Sequence, residues 1–325
     1  MNDDRPTSEL HELLRATGDA ERRDAADKRH AKGYRTAREN LADLCDTGSF
    51  IEYGQLAVAA QRQRRNLEDL RRNTPADGVI TGLATINARQ FGPAASQAAV
   101  VIYDYTVLAG TQGFFHHQKL DRIIEVARRQ RIPHVMYTEG GGGRPGDTDV
   151  TTQIAGLNLP TFARWAGLQG QVPRIAVNNG YCFAGNAALF GSADLRIATE
   201  SSWIGMAGPA MIEGGGLGKF QPTEIGPIEV QEKNGVVDIV ADDEADATRI
   251  ARQLLSYFQG PVADWQAAPQ EALRDMVPED RRWGYPVRRI IETIADEGSF
   301  LELRRIYGRG IITGFIRLEG RAVAL

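Results

Sequence analysis

Ala176-Val177-Asn178-Asn179-Gly180-Tyr181-Cys182-Phe183-Ala184-Gly185-Asn186-Ala187-Ala188 starts apolar, passes through two asparagines and a glycine, and ends in small residues. The apolar part reads as a strand over 174–177 that ends near Asn179, and the small residues at 184–188 open a helix at about Gly185. Small residues at a helix start let a ligand lie against free N–H groups, where the helix dipole favours negative charge. Tight helix–strand packing would also select Ala and Gly, and this stretch alone does not separate the two readings.

Upstream, a buried strand over 133–137 runs into Glu139-Gly140-Gly141-Gly142-Gly143-Arg144. Residues 141–146 satisfy G-x-G-x-x-G, but a dinucleotide site needs an acidic residue about twenty positions on. Between Asp149 and Asp194 there is no Asp or Glu. A flexible loop is the plain alternative. The more economical reading of four glycines at a strand end is backbone that approaches a ligand closely, with N–H groups turned inward. One donor from this loop and one from the helix start would form an oxyanion hole. That geometry serves a thioester, whose oxygen gains charge when its α-carbon loses a proton.

Around these two segments, strands are expected over 78–86 and 98–102, and helices over 118–129 and 153–168. Residues 8–46 read as helical, with Thr36 and Glu39 forming a capping box; 61–75 read as a polar surface connection. Asp242, Asp243 and Glu244 are expected to cap a helix continuing to Tyr257. The alternation of short strands with helices predicts an α/β fold. Asp46-Thr47-Gly48-Ser49-Phe50-Ile51-Glu52 recurs as Asp296-Glu297-Gly298-Ser299-Phe300-Leu301-Glu302. Gly78-Val79-Ile80-Thr81-Gly82 then recurs as Gly310-Ile311-Ile312-Thr313-Gly314. Two blocks in one order predict a duplicated fold, with a second copy that has barely begun when the chain stops inside an apolar run at Leu325.

With 325 residues, 42% hydrophobic and 25% charged, the chain can bury a sizeable core. A net charge of -4 argues against nucleic acid as a partner. The first fifteen residues lack an apolar signal core, and no run approaches the roughly 18 apolar residues of a membrane span. The expectation is a cytoplasmic protein without a membrane partner. Cys45 and Cys182 are too few for a disulfide scaffold or a Cys-based zinc site, and His116 and His117 lack metal-ligand spacing, so no metal is expected. Lys28, Arg29, His30, Lys32, Arg35 and Arg38 read mainly as a solvated helical face, although they could meet CoA phosphates.

Asn179-Gly180-Tyr181 followed by small residues, then Ala193-Asp194-Leu195-Arg196-Ile197-Ala198, resembles the signature of the crotonase superfamily. Within it the chain resembles the carboxyltransferase subunits of biotin-dependent acyl-CoA carboxylases, such as propionyl-CoA and acetyl-CoA carboxylase β chains. The blocks that carry this include Lys32-Gly33, Asp104-Tyr105-Thr106-Val107, Arg131-Ile132-Pro133, Gly208-Pro209, Glu224-Ile225-Gly226 and Asn234-Gly235-Val236-Val237-Asp238. The resemblance implies a crotonase-like ββα spiral over 46–290, preceded by a helical segment over 1–45 and followed over 291–325 by the start of an incomplete C-terminal carboxyltransferase domain. It implies transfer of a carboxyl group from carboxybiotin to the α-carbon of a short acyl-CoA. Biotin would ride on a carrier, with a biotin carboxyl carrier protein, a biotin carboxylase and the missing domain as partners, in a homo-oligomer.

By position, the family's oxyanion glycines fall on Gly141 and Gly142, and the donor at the helix start on Gly185; Gly140, Gly143, Arg144, Ala184, Cys182 and Phe183 would contact the substrate. Ala188 stands where hydratases of the superfamily carry a catalytic Glu, and no carboxylate stands at Ala207-Gly208. Neither gap troubles a carboxyltransferase, whose biotin ureido nitrogen takes the proton. Pro145 after Arg144, and Gln231 where many relatives have histidine, point to a divergent subgroup such as larger multidomain carboxylases. Three rivals stand beside this reading: a biotin-dependent acyl-CoA decarboxylase, a hydratase or hydrolase of the superfamily, which Ala188 disfavours, and a catalytically incomplete chain acting in assembly.

Overall fold

The computed structural model describes residues 5–150, 159–280 and 282–325. Its centre is a seven-stranded sheet in chain order: β1 (Ile51–Glu52), β2 (Val79–Thr85), β3 (Gln97–Tyr103), β4 (His134–Tyr137), β5 (Arg174–Phe183), β6 (Leu195–Gly205) and β7 (Ile239–Ala241). β1, β2 and β3 pair antiparallel, whereas β3 through β7 are parallel. Parallel strands covered on both faces are apolar at consecutive positions, as Val100-Val101-Ile102 are.

Alternation along each strand sends side chains to two cores. Val100, Ile102, Val135, Tyr137, Ile175 and Val177 face one; Ala99, Val101, Met136 and Ala176 face the other. The N-terminal helices are α1 (Arg5–Arg15), α2 (Arg23–His30) and α3 (Ala37–Leu44). On the first face lie α3 and α11 (Glu244–Ser256), which bury Leu41, Leu44, Ile250 and Leu254. On the second lie α6 (Phe114–Gln130), α7 (Thr161–Ala166) and α8 (Gly185–Gly191), through Leu120, Ile123, Trp165, Leu189 and Phe190. Short helices α4 (Leu67–Asn73), α5 (Ala88–Phe91), α9 (Pro209–Gly214), α10 (Ile228–Gln231) and α12 (Val287–Ile294) fill the connections.

The Thr36–Glu39 capping box forms as read, and Asp243 caps α11 by accepting from the Asp246 N–H at 2.8 Å. Glu244 does not act as a cap; it is buried, accepting from the Arg35 N–H and from Asn40 Nδ2. The connection 61–75 is more than surface: it contains α4, whose Leu70 is buried with Val58 and Ala59. β5 runs on past Asn179 to Phe183, because Gly180 through Phe183 pair with β6 after a register irregularity. Of the helix expected over 153–168, the part up to 158 lies outside the described residues.

The two repeated blocks take one local form. β8 (Leu301–Leu303), β9 (Thr313–Leu318) and β10 (Arg321–Ala324) make a three-stranded antiparallel sheet beside α12. Glu52 is registered opposite Gly82, and Glu302 opposite Gly314. A Cβ on Gly82 would lie 2.2 Å from the Ile51 carbonyl oxygen, and one on Gly314 would lie 2.4 Å from that of Leu301, so both crossings require glycine. Arg38 of α3 is paired with Glu52, and Arg288 of α12 with Glu302. Asp46 accepts from the Asn87 and Ala88 N–H groups, and Asp296 from those of Glu319 and Gly320. The division expected after residue 290 falls within α12, and Leu301, Leu303 and Phe315 of the second block pack on the first core.

Candidate functional site

β4 ends at Tyr137, but its pairing with β5 is carried further by the backbone. The Gly140 N–H donates to the Tyr181 carbonyl at 2.7 Å, and the Phe183 N–H donates to the Gly140 carbonyl at 2.9 Å. The glycine loop is thereby stitched onto the tail of β5, immediately before α8 begins. Gly142 has φ +90°, and a Cβ there would lie 2.7 Å from the Ala184 Cβ. The loop and the helix start expected to meet do meet. Ala184 itself has φ 51° and ψ -117°, a costly conformation for a residue with a side chain. It is held by its N–H to the Gly205 carbonyl and by the Ala188 N–H on its own carbonyl, each at 2.9 Å.

Following each N–H changes the donor assignment. The Gly141 N–H donates to the Ala109 carbonyl at 3.1 Å, and the Gly142 N–H to Asn186 Oδ1 at 3.0 Å. The N–H groups of Gly141 and Gly142, expected as oxyanion donors, are thus both engaged within the protein. Among the described residues, the N–H groups of Gly143 and Gly185 have no acceptor. Gly143 is exposed, Gly185 is half-buried, and none of the described residues lies within 4 Å of where a Gly143 Cβ would sit.

Three side chains expected to contact substrate have partners or burial within the protein. The Arg144 guanidinium is 3% exposed and is consumed by Asp77, by Asp147 at 3.5 Å and by the Thr111 carbonyl at 2.8 Å. Cys182 is buried in the second core, where burial pushes its thiol up to about 12. Phe183 is buried and stacks on Tyr181. Gly140 is engaged at both its N–H and its carbonyl, as is Ala184, which leaves the Gly143 and Gly185 N–H groups without an acceptor among the described residues.

The carboxylate beside the loop is not a free base. Burial pushes Glu139 up to about 7 against the pull of Arg29, whose guanidinium grips both carboxylate oxygens. Arg29 also lies 3.9 Å from Glu244 and over the rings of Tyr34 and Tyr105. The basic stretch on the first helices is therefore only partly a solvated face: Arg29 is buried, Arg38 pairs with Glu52 and Arg35 with Asp43, while Lys28 and Lys32 line an open cleft with Arg23 and Arg72.

Residues 28–325 match the carboxyl transferase domain. The chain belongs to the carboxyl transferase domain family. It is 32% identical to the methylmalonyl-CoA carboxyltransferase 12S subunit of Propionibacterium freudenreichii subsp. shermanii, over 98% of this chain and 59% of that one. It is 27% identical to the methylmalonyl-CoA decarboxylase subunit alpha of Veillonella parvula, over 97% of this chain and 62% of that one. The solved structure of a single-chain, multi-domain long-chain acyl-CoA carboxylase aligns with a TM-score of 0.95 and 56% identity, covering 98% of this chain and 32% of that one. The chain thus spans about three-fifths of the curated relatives named here. Its α/β fold is the one expected from the crotonase-like blocks.

In this carboxyl transferase domain two side chains beside the glycine loop escaped the sequence reading. Asn186 is a lone amide among Gly, Ala and Leu at a helix start, and Gln112 stands before Gly113, in a segment without periodicity. Gln112 holds the loop through its backbone, its N–H on the Gly142 carbonyl at 2.8 Å and its carbonyl accepting from the Arg144 N–H at 2.9 Å. Its side chain donates to Tyr103 Oη at 2.9 Å and lies against Gly185. No cluster of three or more His, Cys, Asp or Glu able to hold a metal occurs among the described residues, and no described helix is long and apolar enough to cross a membrane.

Proposed function

We propose that this chain provides the acyl-CoA half of a carboxyltransferase, in which a carboxyl group passes between carboxybiotin and the α-carbon of an acyl-CoA. The observation that carries the reading is the pair of unclaimed donors, Gly143 N–H and Gly185 N–H, on two segments tied together by Gly142 and Asn186. Both would donate to the thioester oxygen as it becomes an enolate, in a site of fixed backbone dipoles that need no reorganisation. Among the described residues, the side chains nearest Gly185 are Gln112 and Phe162, neither of them a base, and Ala188 is none either. Carboxybiotin, presented by a carrier, would supply the carboxyl group and a ureido nitrogen able to take the α-proton. The chain's own part is to orient the ester and hold the developing charge.

The 56% identity to a long-chain acyl-CoA carboxylase supports a long acyl chain, in place of the short one first expected. The Veillonella decarboxylase relative supports use of the same half-site in the reverse direction. We assign residues up to 286 to the first crotonase-like domain, including its helical lead, and 287–325 to the beginning of a second. That second domain would bring the biotin pocket. A biotin carrier, a biotin carboxylase and further copies of the chain complete the assembly, where Met206, Met211 and Leu217, each more than half exposed, would be covered.

The test supplies the enzyme with carboxylated carrier and a series of acyl-CoAs from short to long, and follows the product by mass. The expected product is the α-carboxylated ester, formed fastest with long chains. No carboxylated product at any length would overturn the reading.

A further inference from the structure

We infer that Asn186 is the positioning residue of this half-site, setting the direction of the Gly143 N–H without touching the acyl-CoA. The inference rests on the oxyanion reading above. Asn186 has no exposed surface, and every polar atom of its side chain is used. Oδ1 accepts from the Gly142 N–H at 3.0 Å, while Nδ2 donates to the Thr138 carbonyl at 3.0 Å and to the Gly110 carbonyl at 3.4 Å. One donor and two carbonyls as partners fix which end of the amide is oxygen. A single side chain therefore joins the end of β4, the segment after β3 and the tip of the glycine loop to the second residue of α8, the neighbour of Gly185.

The consequence for the donor follows from peptide geometry. The Gly142 carbonyl and the Gly143 N–H belong to one planar trans peptide and point in opposite directions. The Gln112 N–H holds that carbonyl at 2.8 Å, so the Gly143 N–H points away from Gln112, and among the described residues it meets no acceptor. A glycine loop has little intrinsic preference for this arrangement, because glycine visits positive φ as readily as negative. Asn186 supplies the preference by holding the N–H on the other side of Gly142, which leaves that residue at φ +90°. The reaction gains from this only if the donor is aimed before charge develops.

Asn186→Asp and Asn186→Ser separate positioning from folding. An ionised Asp can still accept from Gly142 but has no proton for the Thr138 and Gly110 carbonyls, whereas a neutral Asp recovers one of those donations. The assay uses the active enzyme with carboxylated carrier and a saturating acyl-CoA, with rates normalised to folded protein from thermal melts. For Asn186→Asp we expect kcat to fall about 100-fold at pH 8, the size of losing one oxyanion donor. KM for the ester should change less than about 3-fold, and kcat should recover toward pH 6 relative to wild type. Asn186→Ser should lose kcat without that recovery. Wild-type kcat in both folded variants overturns the inference, as does a loss confined to KM or explained wholly by unfolded protein. Transfer by wild type with unchanged variants sinks this inference alone, whereas inactivity of the wild type with every ester sinks the proposed function as well.

Discussion

Gly142 and Gly143 are adjacent and chemically identical, yet their surroundings predict opposite responses to one added methyl. At Gly142 the backbone has φ +90° and a Cβ would press on Ala184, so Gly142→Ala should cost about 1–3 kcal/mol and pull the loop from α8. At Gly143 none of the described residues lies within 4 Å of an added Cβ and φ is not positive, so Gly143→Ala should leave the melting temperature nearly unchanged. Turnover by Gly143→Ala should nevertheless drop sharply if its N–H faces the thioester oxygen, since the methyl would crowd that oxygen. The paired measurement is a thermal melt and a rate for each variant. Full activity in a stable Gly143→Ala would remove Gly143 from the site.

At the scale of elements, the two helix–strand units use one device, an arginine on the helix gripping a glutamate at the strand end. Their environments differ. The Arg38–Glu52 side chains are 22% and 7% exposed, the Arg288–Glu302 side chains 42% and 13%. Removing one partner of a buried pair leaves a charge without compensation, whereas exposed pairs are screened and contribute little. Arg38→Met should therefore destabilise by about 3 kcal/mol and Arg288→Met by much less, read as shifts of the denaturant midpoint. Equal shifts would mean that the second unit is as tightly built as the first.

The whole molecule carries a built-in acid sensitivity. Three histidines are buried on the α6–α7 side of the sheet. Burial, reinforced by Arg174, lowers His134 to about 3; burial, reinforced by Arg144, lowers His117 to about 4; burial holds His116 well below its ordinary value. Each is neutral when folded and titrates near 6.5 when unfolded. Their contribution is therefore present above about pH 6.5 and is lost as the pH falls toward 4 and then 3. His134 is the cleanest probe: among the described residues neither ring nitrogen has a partner, and the ring meets Trp165 edge-on at 4.8 Å. His134→Phe should match wild type at pH 7 and exceed it by on the order of 2 kcal/mol at pH 5. An unchanged pH dependence of the unfolding midpoint would show that His134 does not stay neutral.

The sequence by itself determined whatever depends on local pattern. Alternating apolar strands and amphipathic helices specified the α/β class, Thr36 and Glu39 the start of α3, and the repeated Asp46 and Asp296 blocks a shared local form. These follow from period, capping and turn chemistry, which act over a few residues. The glycine run and the small residues at 184–188 were legible as two segments meant to meet. Only the tertiary structure decided which of their N–H groups stay free. That choice depends on partners far along the chain: Ala109 for Gly141, Asn186 for Gly142 and Gln112 for the carbonyl between Gly142 and Gly143. It also turned Arg144 and Arg29 inward, onto Asp77 and Glu139, where a count of charges had placed ligand contacts or solvent. A backbone donor has no side chain to mark it in a sequence, and its availability is settled by what the fold sets opposite it.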